Sequence, residues 1–161
     1  MGLTEIELIC QLLCEEKAAY LEYETHTQRL AICDIDEIEL YVEQREALIK
    51  QINEMDQQIK KLCDKDEADG LLAYQAVKCK CDKEQLPERL DKIYDAGQEI
   101  FAVANRIRGM EPQILERLEF ERANLLMKIK ENNQSVQAKA SKYYSPDLQE
   151  GRLLNSKYAK A

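Results

Sequence analysis

The sequence predicts an all-α protein, an elongated antiparallel helical bundle or coiled coil of three long helices. Only five glycines and three prolines occur in 161 residues, and none lies between Leu3 and Asp69. Sheet folds need Gly and Pro turns at short, regular intervals, so this gap excludes them. A long run of apolar residues spaced alternately by three and four is the second observation, because that spacing is typical of helices packed side by side.

The first helix is predicted to begin at a capping box, in which Thr4 accepts a backbone hydrogen bond and Glu7 reaches back to Thr4. It is predicted to end near Cys33, where Asp34 and Glu37 form a second box. So short a joint requires either antiparallel neighbours or one long bent helix. The apolar stripe of this helix is imperfect and consists of Ile6, Ile9, Cys10, Leu13, Lys17, Tyr20, Thr27 and Leu30.

The second helix carries the clearest pattern in the chain, a heptad seam of about four repeats. Seven of its eight positions are apolar or aromatic, and Arg45 is the exception. A helix of roughly 29 residues would be about 43 Å long. The seam consists of Ile38, Tyr41, Arg45, Leu48, Ile52, Met55, Ile59 and Leu62.

The third helix is predicted to begin near Leu86-Pro87, after a polar turn at 64–70 and one or two helical turns at 71–77. Its stripe runs through Leu90, Ile93, Gly97, Ile100, Ala104 and Ile107. The next predicted stripe position, Leu115, lies eight residues after Ile107, so we expect a kink or a break near 109–112. Gly109 and Pro112 lie at that point, and Pro removes one helical hydrogen bond. The stripe then continues through Leu118, Arg122, Leu125, Ile129, Asn132 and Val136.

The predicted domain organisation is a helical bundle over 1–142 followed by a C-terminal tail over 143–161. Pro146 and Gly151 punctuate the tail, whose leucines make it too apolar to serve only as a solubilising segment. Its apolar residues either bind a partner or complete the bundle core. The predicted partner-binding residues are Leu125, Ile129, Val136, Leu148, Leu153, Leu154 and Tyr158.

Charge and targeting signals favour a cytoplasmic protein that binds other proteins. Residues 1–70 contain 18 acidic and 7 basic side chains, whereas residues 71–161 contain 13 acidic and 16 basic ones. The acidic half would repel nucleic acid, so no nucleic-acid partner is expected. The N-terminus has no basic segment typical of a signal peptide, and no apolar run is long enough to enter a membrane.

Few residues suit catalysis, so we predict that the protein is not an enzyme and holds no cofactor. His26 is the one histidine and is predicted to lie on a helix surface. Six cysteines are predicted to be free thiols in a reducing compartment, with metal binding as the alternative. Adjacent glutamates are predicted to form a solvated face, with a metal–carboxylate bundle as the enzyme alternative; they are Glu15, Glu16, Glu22, Glu24, Glu37 and Glu39.

The chain resembles the FlgN-type flagellar export chaperones, a family of helical proteins of similar length with two tightly joined N-terminal helices. In that family a short Gly/Asp turn leads into a heptad-patterned second helix, which resembles Cys33-Asp34 followed by residues 35–52 here. The third helix of the family often carries Asn before two leucines, as do Asn124, Leu125 and Leu126 in this chain.

The resemblance implies a chaperone that binds the helical C-terminal segments of hook-associated (hook–filament junction) proteins. Such a chaperone prevents early assembly of its clients and delivers them to the export apparatus. The alternative is a coiled-coil scaffold or adaptor that forms a homodimer through the same apolar stripe.

Overall fold

The computed structural model describes the backbone of residues 1–158 and the side chains of residues 1–143. This part of the chain contains four α-helices, short 3₁₀ turns and no strand, so the predicted all-α class is confirmed. The helices are α1 (Leu3–Ile32), α2 (Ile38–Asp64), α3 (Gly70–Val77) and α4 (Asp91–Tyr158). No helix within the described residues is both long enough and apolar enough to cross a membrane.

Helix α1 begins two residues earlier than the predicted cap requires. Gly2 precedes its first turn, and the Gly2 amide donates to the Glu5 carboxylate at 2.9 Å. The predicted box of Thr4 and Glu7 is therefore wrong. The second predicted cap lies where expected, since the Asp34 amide donates to the Glu37 carboxylate at 3.3 Å before α2 begins.

Helices α1 and α2 form an antiparallel hairpin. The first half of α1 packs with the end of α2, through Ile9, Leu13 and Ile59, whereas Ala19 packs against Ile52, nearer the middle of α2. All eight predicted seam positions of α2 are buried or half-buried, so the heptad assignment is confirmed.

Helix α3 is a separate short helix where the sequence predicted one or two turns. A Cβ atom at Gly70 would lie 1.9 Å from the backbone oxygen of Cys63, so only glycine lets α3 begin this close to the end of α2. Gly97 of α4 is similar, because its Cβ would lie 2.8 Å from the Val77 oxygen. The predicted count of three helices thus becomes four.

Of the predicted kink or break at 109–112, the break is absent, because α4 is one continuous helix through these residues. Ile114 is 1% exposed and Leu115 is 58% exposed, so the buried stripe advances seven residues from Ile107 rather than eight. Gly109 and Pro112 are both exposed. The proline therefore faces solvent, and the one helical hydrogen bond it removes does not interrupt the core stripe.

Contacts along α1 show that α4 runs parallel to it. Lys17 pairs with Glu99 at 2.6 Å, and Glu24 pairs with Arg106 at 2.7 Å. Near the end of α1, the Arg117 guanidinium donates to the carbonyls of Leu30, at 2.7 Å, and Cys33. Arg117 thus satisfies carbonyl groups that the end of α1 leaves without helical partners.

The chain divides into two compact units, Met1–Arg117 and Leu118–Ala161. The division falls within α4, whereas the sequence analysis placed a boundary between 142 and 143. The hairpin, α3 and the beginning of α4 build the core of the first unit.

Candidate functional site

The predicted partner-binding residues for which side chains are described are exposed on α4. Leu125, Ile129 and Val136 are 46%, 55% and 64% exposed, and their spacings of four and seven place them on one helix face. Leu148, Leu153, Leu154 and Tyr158 fall within the bounds of α4, but their side chains lie outside the described residues.

Tyr143 belongs to the same face and was missed by the sequence analysis. It lies seven residues after Val136 and is 77% exposed. Continuing the heptad count past Val136 would have found it. We call Leu125, Ile129, Val136 and Tyr143 the α4 seam. Asn132 also lies in this register, as a polar position within the seam.

Other exposed apolar residues lie on α4 outside the seam. Phe120, Leu126 and Met127 are 63%, 56% and 61% exposed. The helix between 118 and 143 therefore presents apolar side chains on more than one face, with the seam as its most regular row. Apolar rows left exposed on a helix commonly mark contact surfaces for other proteins.

The first unit contains a cavity of about 120 Å³ that the sequence analysis did not predict. It lies between α1, the end of α3 and α4. Its walls are largely apolar, and its charged side chains are Glu16 and Lys78; the apolar walls include Leu13, Ile100 and Phe101.

Glu16 is buried, which corrects its predicted place on a solvated face. The residue is 4% exposed, and its Oε2 atom has no hydrogen-bond partner. Burial raises the pKa of its carboxyl to about 7; the Lys78 charge opposes this increase, and the Asp56 charge adds to it. The carboxyl is therefore partly protonated near neutral pH.

Lys78 is paired with a different carboxylate. Its ammonium forms an ion pair with Asp56 and lies 5.6 Å from the centre of the Tyr74 ring. Burial is the largest single effect on the pKa of Lys78 and lowers it, but the hydrogen bond to Asp56 and the nearby charges of Asp56 and Glu16 together raise the pKa overall. Lys78 is thus charged and already partnered, and Glu16 has no direct counterion.

A second cavity, of about 210 Å³, lies beside the first and is mainly apolar. Tyr20 and Ala104 line both cavities, and the second is also lined by Tyr23, Ile49 and Ile107. Tyr20 and Tyr23 are both half-buried, so each lies between the core and the surface.

Arg45, the polar exception in the α2 seam, binds side chains from two other helices. Its guanidinium donates to the Tyr23 hydroxyl at 2.6 Å and to the Glu111 carboxylate. It also lies 4.6 Å from the centre of the Tyr23 ring. These contacts link α1, α2 and α4, which explains why a cation lies among apolar seam residues.

The glutamate pairs contain another residue that is not simply solvated. The Glu24 side chain is 12% exposed and accepts two hydrogen bonds from Arg106, at 2.7 and 3.0 Å. These hydrogen bonds lower the pKa of Glu24.

His26 lies partly within the bundle rather than on its surface. Its side chain is 17% exposed, its Nε2 lies 3.5 Å from a Glu22 carboxylate oxygen, and its ring centre lies 5.9 Å from that of Tyr41. The packing against Tyr41 is the contact that the sequence analysis did not foresee.

The six cysteines are free thiols in the structure, and only Cys33 and Cys63 are buried. Burial raises the pKa of Cys63 to about 11 and also raises that of Cys79. These thiols are therefore protonated at neutral pH and weakly nucleophilic. Within the part of the chain that the structure describes, no three His, Cys, Asp or Glu residues cluster as metal ligands would.

Comparison with protein-family models, curated proteins and solved structures gives no match. The likeness to the FlgN-type chaperones therefore rests on the sequence features of α2 and α4 quoted above.

Proposed function

We propose that the protein is a cytoplasmic export chaperone that binds helical segments of hook-associated proteins along the α4 seam and delivers them to the export apparatus. The observation that carries this proposal is the exposure of Leu125, Ile129, Val136 and Tyr143 in heptad register. A helix with such a row can pack against a partner helix that offers apolar residues at the same spacing.

Polar residues in the seam favour a specific partner over general hydrophobic adhesion. Asn132 lies within the seam, and Arg122 lies in the same register just before Leu125. A single polar position in a helical interface fixes the register of the partner, at some cost in affinity. A client helix would therefore carry polar residues opposite Arg122 and Asn132.

The charge around the seam indicates which charge the client helix carries. Lys128, Lys130, Lys139 and Lys142 accompany the seam, against a single acidic residue, Glu131, between 128 and 143. Opposite charges at the rim of an interface speed association and select the partner. We therefore expect an acidic amphipathic helix as the client.

Single substitutions on opposite faces of α4 test this proposal. Ile129→Asp places a carboxylate in the seam, whereas Met127→Asp adds the same charge on the opposite face of the same turn. We expect Ile129→Asp to weaken binding of an acidic helical client peptide at least tenfold, about 1.4 kcal/mol, and Met127→Asp to change it less than twofold. Fluorescence anisotropy measures both affinities, and equal losses would refute a specific seam.

Removal of residues 145–161 tests the rest of the predicted surface. We expect the truncated protein to keep its melting temperature while its client affinity falls tenfold or more. Loss of cooperative unfolding would show instead that these residues complete the core.

The second candidate function is a homodimeric scaffold, which the same exposed seam favours because a heptad row also fits a second copy of itself. Light scattering distinguishes the two. A monomer whose client binding depends on Ile129 supports the chaperone, and a tight dimer that Ile129→Asp converts to monomers supports the scaffold.

A further inference from the structure

We propose that the cavity beside Glu16 binds a primary ammonium group carried on a short alkyl chain. The cavity lies within the unit Met1–Arg117, so this inference does not depend on the client surface of α4.

The unsatisfied oxygen of Glu16 is the first argument. Glu16 is 4% exposed and its Oε2 has no hydrogen-bond partner, although nearly all buried polar atoms in folded proteins have one. A buried acceptor without a donor is costly, and a ligand that brings an N–H group to Oε2 would recover that cost. Glu16 lines the cavity, and because Oε2 itself is not exposed there, its carboxyl must rotate to meet a donor bound in the cavity.

The charges around the cavity select a cation. Glu16 and Tyr20 face it from α1, Lys78 and Cys79 face it from the end of α3, and Asp56 of α2 holds Lys78. Tyr74 lies beside the same Lys78 ammonium. Helix α4 contributes no charge to the lining, only Gly97, Ile100, Phe101 and Ala104.

Two carboxylates therefore share one ammonium at this place. Asp56 takes the Lys78 charge, so ionised Glu16 would be buried without a counterion. A second ammonium would complete two ion pairs, whereas an anion would meet the Glu16 carboxylate with like charge.

The size and walls of the cavity define the rest of the ligand. A volume of about 120 Å³ is slightly smaller than the roughly 150 Å³ apolar cavity that is known to admit benzene. Butylammonium, with five heavy atoms, is of suitable size. Leu13, Ile100 and Phe101 supply the apolar walls against which its alkyl chain would pack.

Calorimetric titration of the full chain with n-butylammonium at pH 8 tests the proposal. We expect a millimolar dissociation constant, binding at least tenfold weaker to Glu16→Gln, and unchanged binding to Glu15→Gln. Glu15 is a matched control because it is the adjacent, exposed carboxylate on the same helix. Butyrate should not bind. Equal affinity for the parent and Glu16→Gln, or equal affinity for butyrate, would overturn the proposal.

A second measurement uses only the parent protein, in case Glu16→Gln folds poorly. Carbon NMR of the Glu16 carboxyl follows its titration with and without saturating butylammonium. Since the ammonium favours the ionised form, we expect the pKa to fall by one unit or more. A pKa unchanged by butylammonium would contradict binding at Glu16.

The same titrations with an Nα-acetyl-lysine methylamide distinguish two sources of the ammonium. Affinity within threefold of butylammonium indicates that a lysine side chain of a protein can enter. Binding of butylammonium alone indicates a free amine. Failure of both probes would refute the proposal.

Discussion

Glu16→Gln should change how the stability of the bundle depends on pH. Raising the pKa from 4.5 in the unfolded chain to about 7 in the folded protein makes ionised Glu16 about 3 kcal/mol less favourable in the fold. Between these two values the folded protein binds more protons than the unfolded chain, so this contribution to stability is lost as pH rises. Glutamine has nearly the same shape and does not ionise.

The stability of Glu16→Gln relative to the parent should therefore increase by about 2 kcal/mol between about pH 5 and pH 8. Other titrating groups contribute alike to both proteins and largely cancel in the difference. Urea denaturation at several pH values, followed by circular dichroism, measures the difference in unfolding free energy between the variant and the parent. For Glu15→Gln, at an exposed position, this difference should hardly change with pH. A flat difference for Glu16→Gln as well would refute the burial argument.

Three further predictions concern the fold. Ile52→Asp, at a buried seam position, should cost about 4 kcal/mol of unfolding free energy, whereas Leu40→Asp, at an exposed position of the same helix, should cost less than about 1. Gly109→Ala should stabilise α4 by about 0.5–1 kcal/mol, because a Cβ there meets no atom within 4 Å, whereas Gly97→Ala should destabilise it. Asp69→Asn should lower the urea midpoint at pH 7, since Arg89 holds the pKa of Asp69 at about 2, and the gap should close as pH falls from 3.8 towards that value.

Each of these expectations has a contradicting result. Equal melting of Ile52→Asp and Leu40→Asp would refute the packed heptad seam. A loss of stability in Gly109→Ala would mean that the helix is interrupted at 109–112. A gap between Asp69→Asn and the parent that persists at pH 2 would show that the Arg89 pair is not its source.

The seam of α2 could be predicted from sequence because eight positions repeat one phase. A long periodic row of apolar residues determines which helix face is buried. One polar residue in the row, such as Arg45, does not change that face. The contacts of Arg45 with Tyr23 and Glu111 could not be predicted, since they join residues far apart in the chain.

The predicted register of α4 after residue 107 is wrong for a physical reason. Gly109 and Pro112 predict a disruption of the helix, and a disruption there makes Leu115 the next expected buried residue. Gly109 and Pro112 lie on the exposed side of the helix, where a missing side chain or a missing hydrogen bond does not disturb the packing of the core. Ile114, seven residues after Ile107, keeps the original phase.

The prediction that Glu16 lies on a solvated face is wrong because its helical position, and not its residue type, decides which way it faces. Leu13, Glu16 and Tyr20 follow the spacing of three and four, so the helical phase places Glu16 towards the core. The neighbouring Lys17, which the predicted stripe includes, forms an ion pair with Glu99. A carboxylate that shares the helical phase of buried residues therefore indicates a buried site better than two carboxylates that are adjacent in the sequence.

The pairing of α1 with α4 sets an order for folding. The α1–α2 hairpin closes over a short connection, whereas contacts such as Leu30 with Arg117 join residues 87 positions apart. Contacts between distant residues form late, since a long loop must close first. During synthesis the hairpin therefore emerges with the α4-facing side of α1 still uncovered, and residues 65–117 must be made before Arg117 can reach Leu30. Pulsed hydrogen exchange should find the backbone amides of the hairpin protected before those of α4. The last helix to fold would then be the one that completes the core and also carries the exposed seam.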